Sequence, residues 1–167
     1  MHSEPLASDF ELADVEAALM RSAAGDNAAE ASVLLLLHAG HWLSELVAAG
    51  LIAVDYDDVP VTSSSDRPLR VGWAAVTWID VDAAVLAGRI VGSGGQLRIL
   101  RAAASLASGH LVDLDDLPSG LDRRHLHLLV AAIAHAGGSH QHRQEPDASL
   151  EFGGHGAPTL GAWPPRG

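Results

Sequence analysis

Cysteine is absent from the 167-residue chain, which excludes a disulfide framework, a thiolate metal site and a cysteine nucleophile. Lysine is absent as well, since all ten basic residues are arginine. A Gly-x-x-x-x-Gly-Lys phosphate loop therefore cannot be built. Aromatic residues make up only 4%, so a core must come from Leu, Val, Ile and Ala. Ala and Leu favour helices, whereas sheets draw on β-branched and aromatic side chains. Positive charge is scarce: ten basic against 21 acidic residues give a net charge of −11. That balance opposes polyanionic partners, because nucleic-acid binding depends on counterion release to a basic surface, and it disfavours anionic membranes equally. Long apolar runs are also missing. "VLLLLHAG" is too short to cross a bilayer, and the acidic N-terminus has no basic stretch ahead of an apolar one, unlike a signal peptide. The expectation is a soluble, cytoplasmic protein.

What is present has helical spacing. We expect a flexible N-terminus over 1–8, a helical domain over 9–138 and a disordered Gly/Pro/His-rich tail over 139–167. Asp9 is placed to cap a first helix in which Phe10, Val15 and Leu19, with Leu12 near them, share a face. A second helix from about Asn27 to His38 is apolar nearly all round and should be central to the core. Gly40 breaks it ahead of a short third helix that Gly50 closes. Residues 71–79 fit either a strand or a helix. Asp80 or Asp82 is expected to cap the next helix, and Ser93 a long one that Gly109 ends. Asp122 should cap "RRHLHLLVAAIAHA", where Leu126, Leu129, Val130 and Ile133 follow the spacing of a core face. The fold class expected is mainly α: a compact bundle of about five to six short helices, with at most a small β element near 52–78 and the tail.

Residues 93–122, "SGGQLRILRAAASLASGHLVDLDDLPSGLD", look at first like the second half of an ATP-binding cassette, with signature loop and Walker B carboxylates. With no lysine there is no Walker A loop, and Asp113 would sit inside a strand that ought to be continuously apolar. The simpler reading is an N-cap, a helix with its glycine stop, and a turn into the next cap. Together with "LLLLHAGHWL" and "WIDVDAAVLAGRI", this segment resembles a group of uncharacterised small helical proteins predicted from GC-rich bacterial genomes, over about residues 33–138. The resemblance implies a shared helical domain and carries no catalytic residue across.

Candidate sites are few. Among ten histidines, His125 and His127 point to nearly opposite sides of their helix, and His127 lies two turns from His135. His38, His41 and Glu45 are the best-spaced metal candidates, His41 and Glu45 being one turn apart. His140, His142 and His155 in the tail suggest loose, adventitious Ni²⁺ or Zn²⁺ binding. Asp113-x-Asp115 after Gly92-Ser93 has the flavour of a Mg²⁺-dependent nucleotidyltransferase, if a strand holds the pair. The stretch from "VLLLLHAGHWL" to "RPLRV" resembles the end of a winged helix, with Arg67 and Arg70 in the wing, although the recognition helix would carry no arginine and one glutamate. Trp42, Trp73 and Trp78 are expected to anchor the core. Trp163, in "LGAWPPRG", has the look of a short docking motif. The sequence thus favours a non-catalytic accessory or adaptor protein that binds another protein or itself. Its alternatives are a winged-helix DNA-binding regulator and a nucleotidyltransferase using Asp-x-Asp. No cofactor is expected, nor any nucleic-acid or membrane partner under the main reading.

Overall fold

The computed structural model describes residues 6–56, 71–140 and 160–166. Seven α-helices and one two-stranded sheet make up the described part: α1 Leu12–Ala23, α2 Asn27–Ala39, α3 Trp42–Ala48, β1 Ile52–Tyr56, β2 Val71–Val76, α4 Val81–Leu86, α5 Gly94–Ser108, α6 Asp116–Ser119 and α7 Arg123–Ala136. The fold is therefore mainly helical with a small β element, as composition implies. The two shortest helices, α4 and α6, bring the number above the expected five to six.

α2 is the centre. Leu35, Leu36 and Leu37 are buried in one unbroken run, because α2 packs against α1 on one side and against α5 and α7 on others. A helix surrounded in this way needs apolar residues all round rather than along one stripe. Small residues recur in the buried part of the three central helices: Ala31, Ala102, Ala103, Ala131 and Ala132 are all buried. The fully buried Ser32 donates its hydroxyl to the Ala103 carbonyl at 2.9 Å, tying α2 to α5.

The caps follow local chemistry. Asp26 accepts from the backbone N–H groups of Ala28 and Ala29 at the start of α2. Ser93 and Gln96 form a reciprocal capping box on α5, and Gly109 ends that helix with φ 72°. Asp122 caps α7 through the His125 N–H. Two expected caps fall elsewhere. Asp9 accepts from the Leu6 N–H at 2.8 Å and closes a 3-10 turn, leaving α1 to begin at Leu12. Asp80 holds the N-cap position of α4 without a side-chain bond.

β1 and β2 pair antiparallel, with Ile52 opposite Val76, Val54 opposite Ala74, and a bulge between Asp55 and Tyr56. Of the open stretch 71–79, residues 71–76 are thus strand, and a 3-10 turn over Trp78–Asp80 follows. A two-stranded sheet has exposed edges, and an edge is safe only when its backbone groups find partners. α1 supplies them: Arg21 donates to the Val71 carbonyl at 2.6 Å, and the Ser22 hydroxyl accepts from the Ala74 N–H at 3.2 Å. The pleat turns Trp73 outward, so it is exposed, whereas Trp42 is fully buried. Trp42 donates its indole N–H to the Gln96 carbonyl, and Gly92 lies so close to its ring that an added Cβ would sit 2.8 Å away.

Of the segment 139–167, residues 139–140 and 160–166 are described, and both pieces lie against the helical domain. Residues 160–166 cross the outer side of α7 and reach α2 and α1.

Candidate functional site

The best-spaced candidates of the sequence do not converge. α2 and α3 meet at 99°, because Gly40 takes the left-handed conformation with φ 75°. The turn sends His38 and His41 to different neighbours. His38 donates from Nδ1 to the Pro164 carbonyl at 2.8 Å, and His41 from Nε2 to the Val91 carbonyl, also at 2.8 Å. Each ring also lies against a tryptophan, His38 stacked on Trp163 and His41 edge-on to Trp42. With Glu45 they form no set of ligand atoms close enough to share an ion. Asp113 and Asp115 lie in a turn and not on a strand. Asp113 Oδ1 accepts from the Asp115 N–H, and the Asp113 carbonyl accepts from Leu117 at the start of α6. The strand-borne carboxylate pair that a nucleotidyltransferase needs is therefore not formed. Arg67 and Arg70 lie outside the described residues.

The element order α2, α3, β1, β2 is that of the winged-helix expectation. Its recognition helix carries no arginine and one glutamate. α3 buries Trp42, Leu43 and Leu46 and turns Ser44 and Ala48 outward. Five described arginines are engaged internally, Arg21 with Val71, Arg89 with Ala49, Arg98 with Asp116, Arg124 with His38 and Pro165, and Arg166 with Glu16, while Arg101 and Arg123 are exposed.

A different corner collects unusual chemistry. It is built from both ends of α2, which contribute Glu30 and His38, with α7, the turn after α7, and residues 160–166. Trp163 stacks on His38 with ring centroids 4.9 Å apart and meets His135 edge-on at 6.1 Å. Its indole Nε1 is buried with no hydrogen-bond partner among the described residues. Around it, Arg124 donates to the carbonyls of His38 and Pro165, Ser139 donates to the Leu160 carbonyl, and Arg166 pairs with Glu16 at 2.6 Å. Gly161, at φ 63°, passes close over α7: a Cβ there would lie 3.1 Å from the Val130 carbonyl. Only glycine combines that backbone conformation with that approach. An open cleft of about 180 Å³ lies beside these residues, lined by Ala131, His135, Ser139, His140, Gly161 and Trp163 among others. That is smaller than the roughly 300–1,000 Å³ of a usual small-molecule site.

On the inner wall of this corner, Glu30 Oε2 accepts from His135 Nε2 at 3.1 Å, and His140 stacks on His135 with centroids 3.9 Å apart. The three residues offer ligand atoms that all lie within 4.8 Å of one another. Glu30 is held in place by a second bond, its Oε1 accepting from the Gly25 N–H at 2.8 Å. That bond, seconded by His135, keeps the Glu30 carboxyl below the usual carboxylate range. Burial lowers the affinity of His38 for a proton, and nearby Arg166 and Arg124 add to that effect, although the bond to Pro164 opposes it. Asp122 is likewise held low by the His125 N–H and ring.

A second surface lies along α7. The residues that α7 buries are Leu128, Leu129, Ala131 and Ala132. The face expected to be core is split: Leu129 is inside, while Leu126, Val130 and Ile133 are 40%, 49% and 53% exposed. Spacings of four and three residues align these three along one outward stripe. The physical reason is that one turn of the helix already fills the inward face with Leu128, Leu129, Ala131 and Ala132, which leaves the residues on the opposite side outside.

Sequence spacing misses Glu30, which stands at a helix start among alanines, and His140, which lies past a Gly-Gly stop. A sequence signal for the pair His135 and His140 is the stop itself. Gly138, at φ 75°, folds the chain back over the last helical turn and brings a residue five positions on against the helix. Nothing local signals Glu30, which lies 105 residues from His135. No protein-family model, curated protein or solved structure matches the chain.

Proposed function

We propose that this chain is a non-catalytic accessory protein that acts by binding another protein, and that the outward stripe of α7 is where it binds. The observation that carries the reading is the alignment of Leu126, Val130 and Ile133, large apolar side chains about half exposed along one helix face. Single exposed leucines are ordinary, but three in register on one helix suit a partner helix laid into the same line. Charge selects the partner. Beside the stripe α7 exposes Arg123 and His127, and the helix has no acidic residue within a chain of net charge −11. An amphipathic helix with acidic residues flanking its apolar side complements that face.

A photoreactive residue in place of Val130 in the native host tests the reading. The expected result is cross-linking to one partner through an acid-flanked helix, lost on Ile133→Asp while the helical circular-dichroism signal persists. A cross-link to a second copy of this chain, or a partner unaffected by Ile133→Asp, would overturn it. The winged-helix reading is supported by element order alone. Retention on heparin at low salt would favour it, and flow-through is expected.

A further inference from the structure

We propose that Glu30, His135 and His140 form a binding site for a borderline divalent transition ion, with Zn²⁺ the best match, and that the ion fastens the turn after α7 to the start of α2. Two imidazoles and one carboxylate are the donor set of a three-ligand zinc site with a fourth position left open. Glu30 comes from the first turn of α2, His135 from the last turn of α7, and His140 from beyond the Gly137–Gly138 stop. Their side chains are graded for the task. Glu30 and His135 are 22% and 13% exposed, while His140 is exposed and held by its stack on His135.

The distances fit an ion replacing a proton. His135 Nε2 and Glu30 Oε2 are 3.1 Å apart. Two ligands on a tetrahedral zinc with bonds of roughly 2.0–2.2 Å stand about 3.3–3.5 Å apart. The ion sits between Nε2 and Oε2, and the neutral His135 that binds it carries its one ring proton on Nδ1. The Gly25 N–H on the other Glu30 oxygen fixes the carboxylate, as hydrogen bonds behind metal ligands commonly do. His140 has to move. Its ring lies 12° from parallel to that of His135, face to face, whereas an ion lies in the plane of each imidazole that binds it. Binding therefore swings His140 off the face of His135 and closes the 4.8 Å spread. The open side faces the cleft with Trp163, which leaves room for water or a small anion in the fourth position.

Because His142 and His155 lie in the same terminal segment, the test must separate a built site from loose capture by that segment. The metal-stripped full-length protein is titrated with Co²⁺, read by its visible absorption bands, and with Zn²⁺ by calorimetry. One ion per chain is expected, with quenching of Trp163 fluorescence that a Trp163→Phe variant lacks. Glu30→Gln and His140→Ala each weaken binding at least about tenfold, the scale at which even outer-shell changes act. A His142→Ala/His155→Ala double variant binds as wild type. Saturating Zn²⁺ raises the melting temperature of wild type and leaves that of Glu30→Gln unmoved. Unchanged affinity in Glu30→Gln, or loss of binding in the double variant, overturns the proposal. Neither outcome bears on the α7 stripe, which faces away from these ligands.

Discussion

The layer formed by α2, α5 and α7 and the strap formed by residues 160–166 are held by different forces. The layer is sealed by leucine and alanine, with Ser32 its one buried polar side chain among the described residues. The strap is held by a ring stack, an arginine on two carbonyls, an ion pair and a close glycine contact. Apolar burial is insensitive to pH and to ions, whereas contacts through histidine, arginine and glutamate respond to both. The fold thus joins a stable interior to a responsive edge at one corner, where Trp163 and His135 touch.

The largest effect is expected inside the layer. Leu35 is fully buried, so Leu35→Ala should cost about 2–5 kcal/mol. Urea unfolding checks it. At the strap, Trp163→Ala removes a ring that packs on the core without being enclosed by it, and a loss of about 1–2 kcal/mol is expected. The two should also differ in kind. Leu35→Ala lowers the whole transition, while Trp163→Ala shifts the His38 ring resonances and leaves amide protection in α5 intact. Equal loss of protection across α5 in both variants would erase the distinction between layer and strap. Within the layer, Ser32→Ala tests the single polar tie. The Ala103 carbonyl keeps its place in α5, so only about 1 kcal/mol should be lost.

How far each region is legible in the sequence follows from where its forces lie. The layer is local in origin: helix periodicity, the caps at Ser93 and Asp122 and the stop at Gly109 mark its elements without tertiary information. α7 shows the limit. Periodicity finds an apolar helix but does not tell which of two stripes faces inward, and the stripe that is buried is that of Leu128, Leu129, Ala131 and Ala132. The strap and the Glu30, His135 and His140 corner are not local at all. Spacing draws attention to His38, His41 and Glu45, and a single left-handed glycine sends them apart. Trp163 stands out by residue type, but its seat on His38 depends on a contact between positions more than a hundred residues apart.

The smallest and most specific prediction concerns His38. Its ordinary pKa of 6.5 is lowered, first by burial, then by Arg166 and Arg124, with the Pro164 hydrogen bond and Glu16 opposing. A folded-state pKa below the unfolded one means that the unfolded chain binds the extra proton more readily. The contribution of His38 to stability is therefore fully present above pH 6.5 and is lost as pH falls through the depressed folded value. The first contacts to weaken are those of the strap, because protonated His38 stands beside two arginines beneath Trp163. With chelator present to keep metal out, wild type should lose stability relative to His38→Gln as pH is lowered from 7.5 towards 5, read as the difference between their unfolding midpoints. A difference that stays flat, or that grows in favour of wild type on acidification, would show that the strap does not rest on a neutral His38. Glu30 gives an internal control at lower pH. Its carboxyl is also held below its ordinary value, 4.5, so its contribution persists until the pH drops beneath that value. The two losses should appear in separate windows, the His38 window nearer neutrality and traceable to the strap alone.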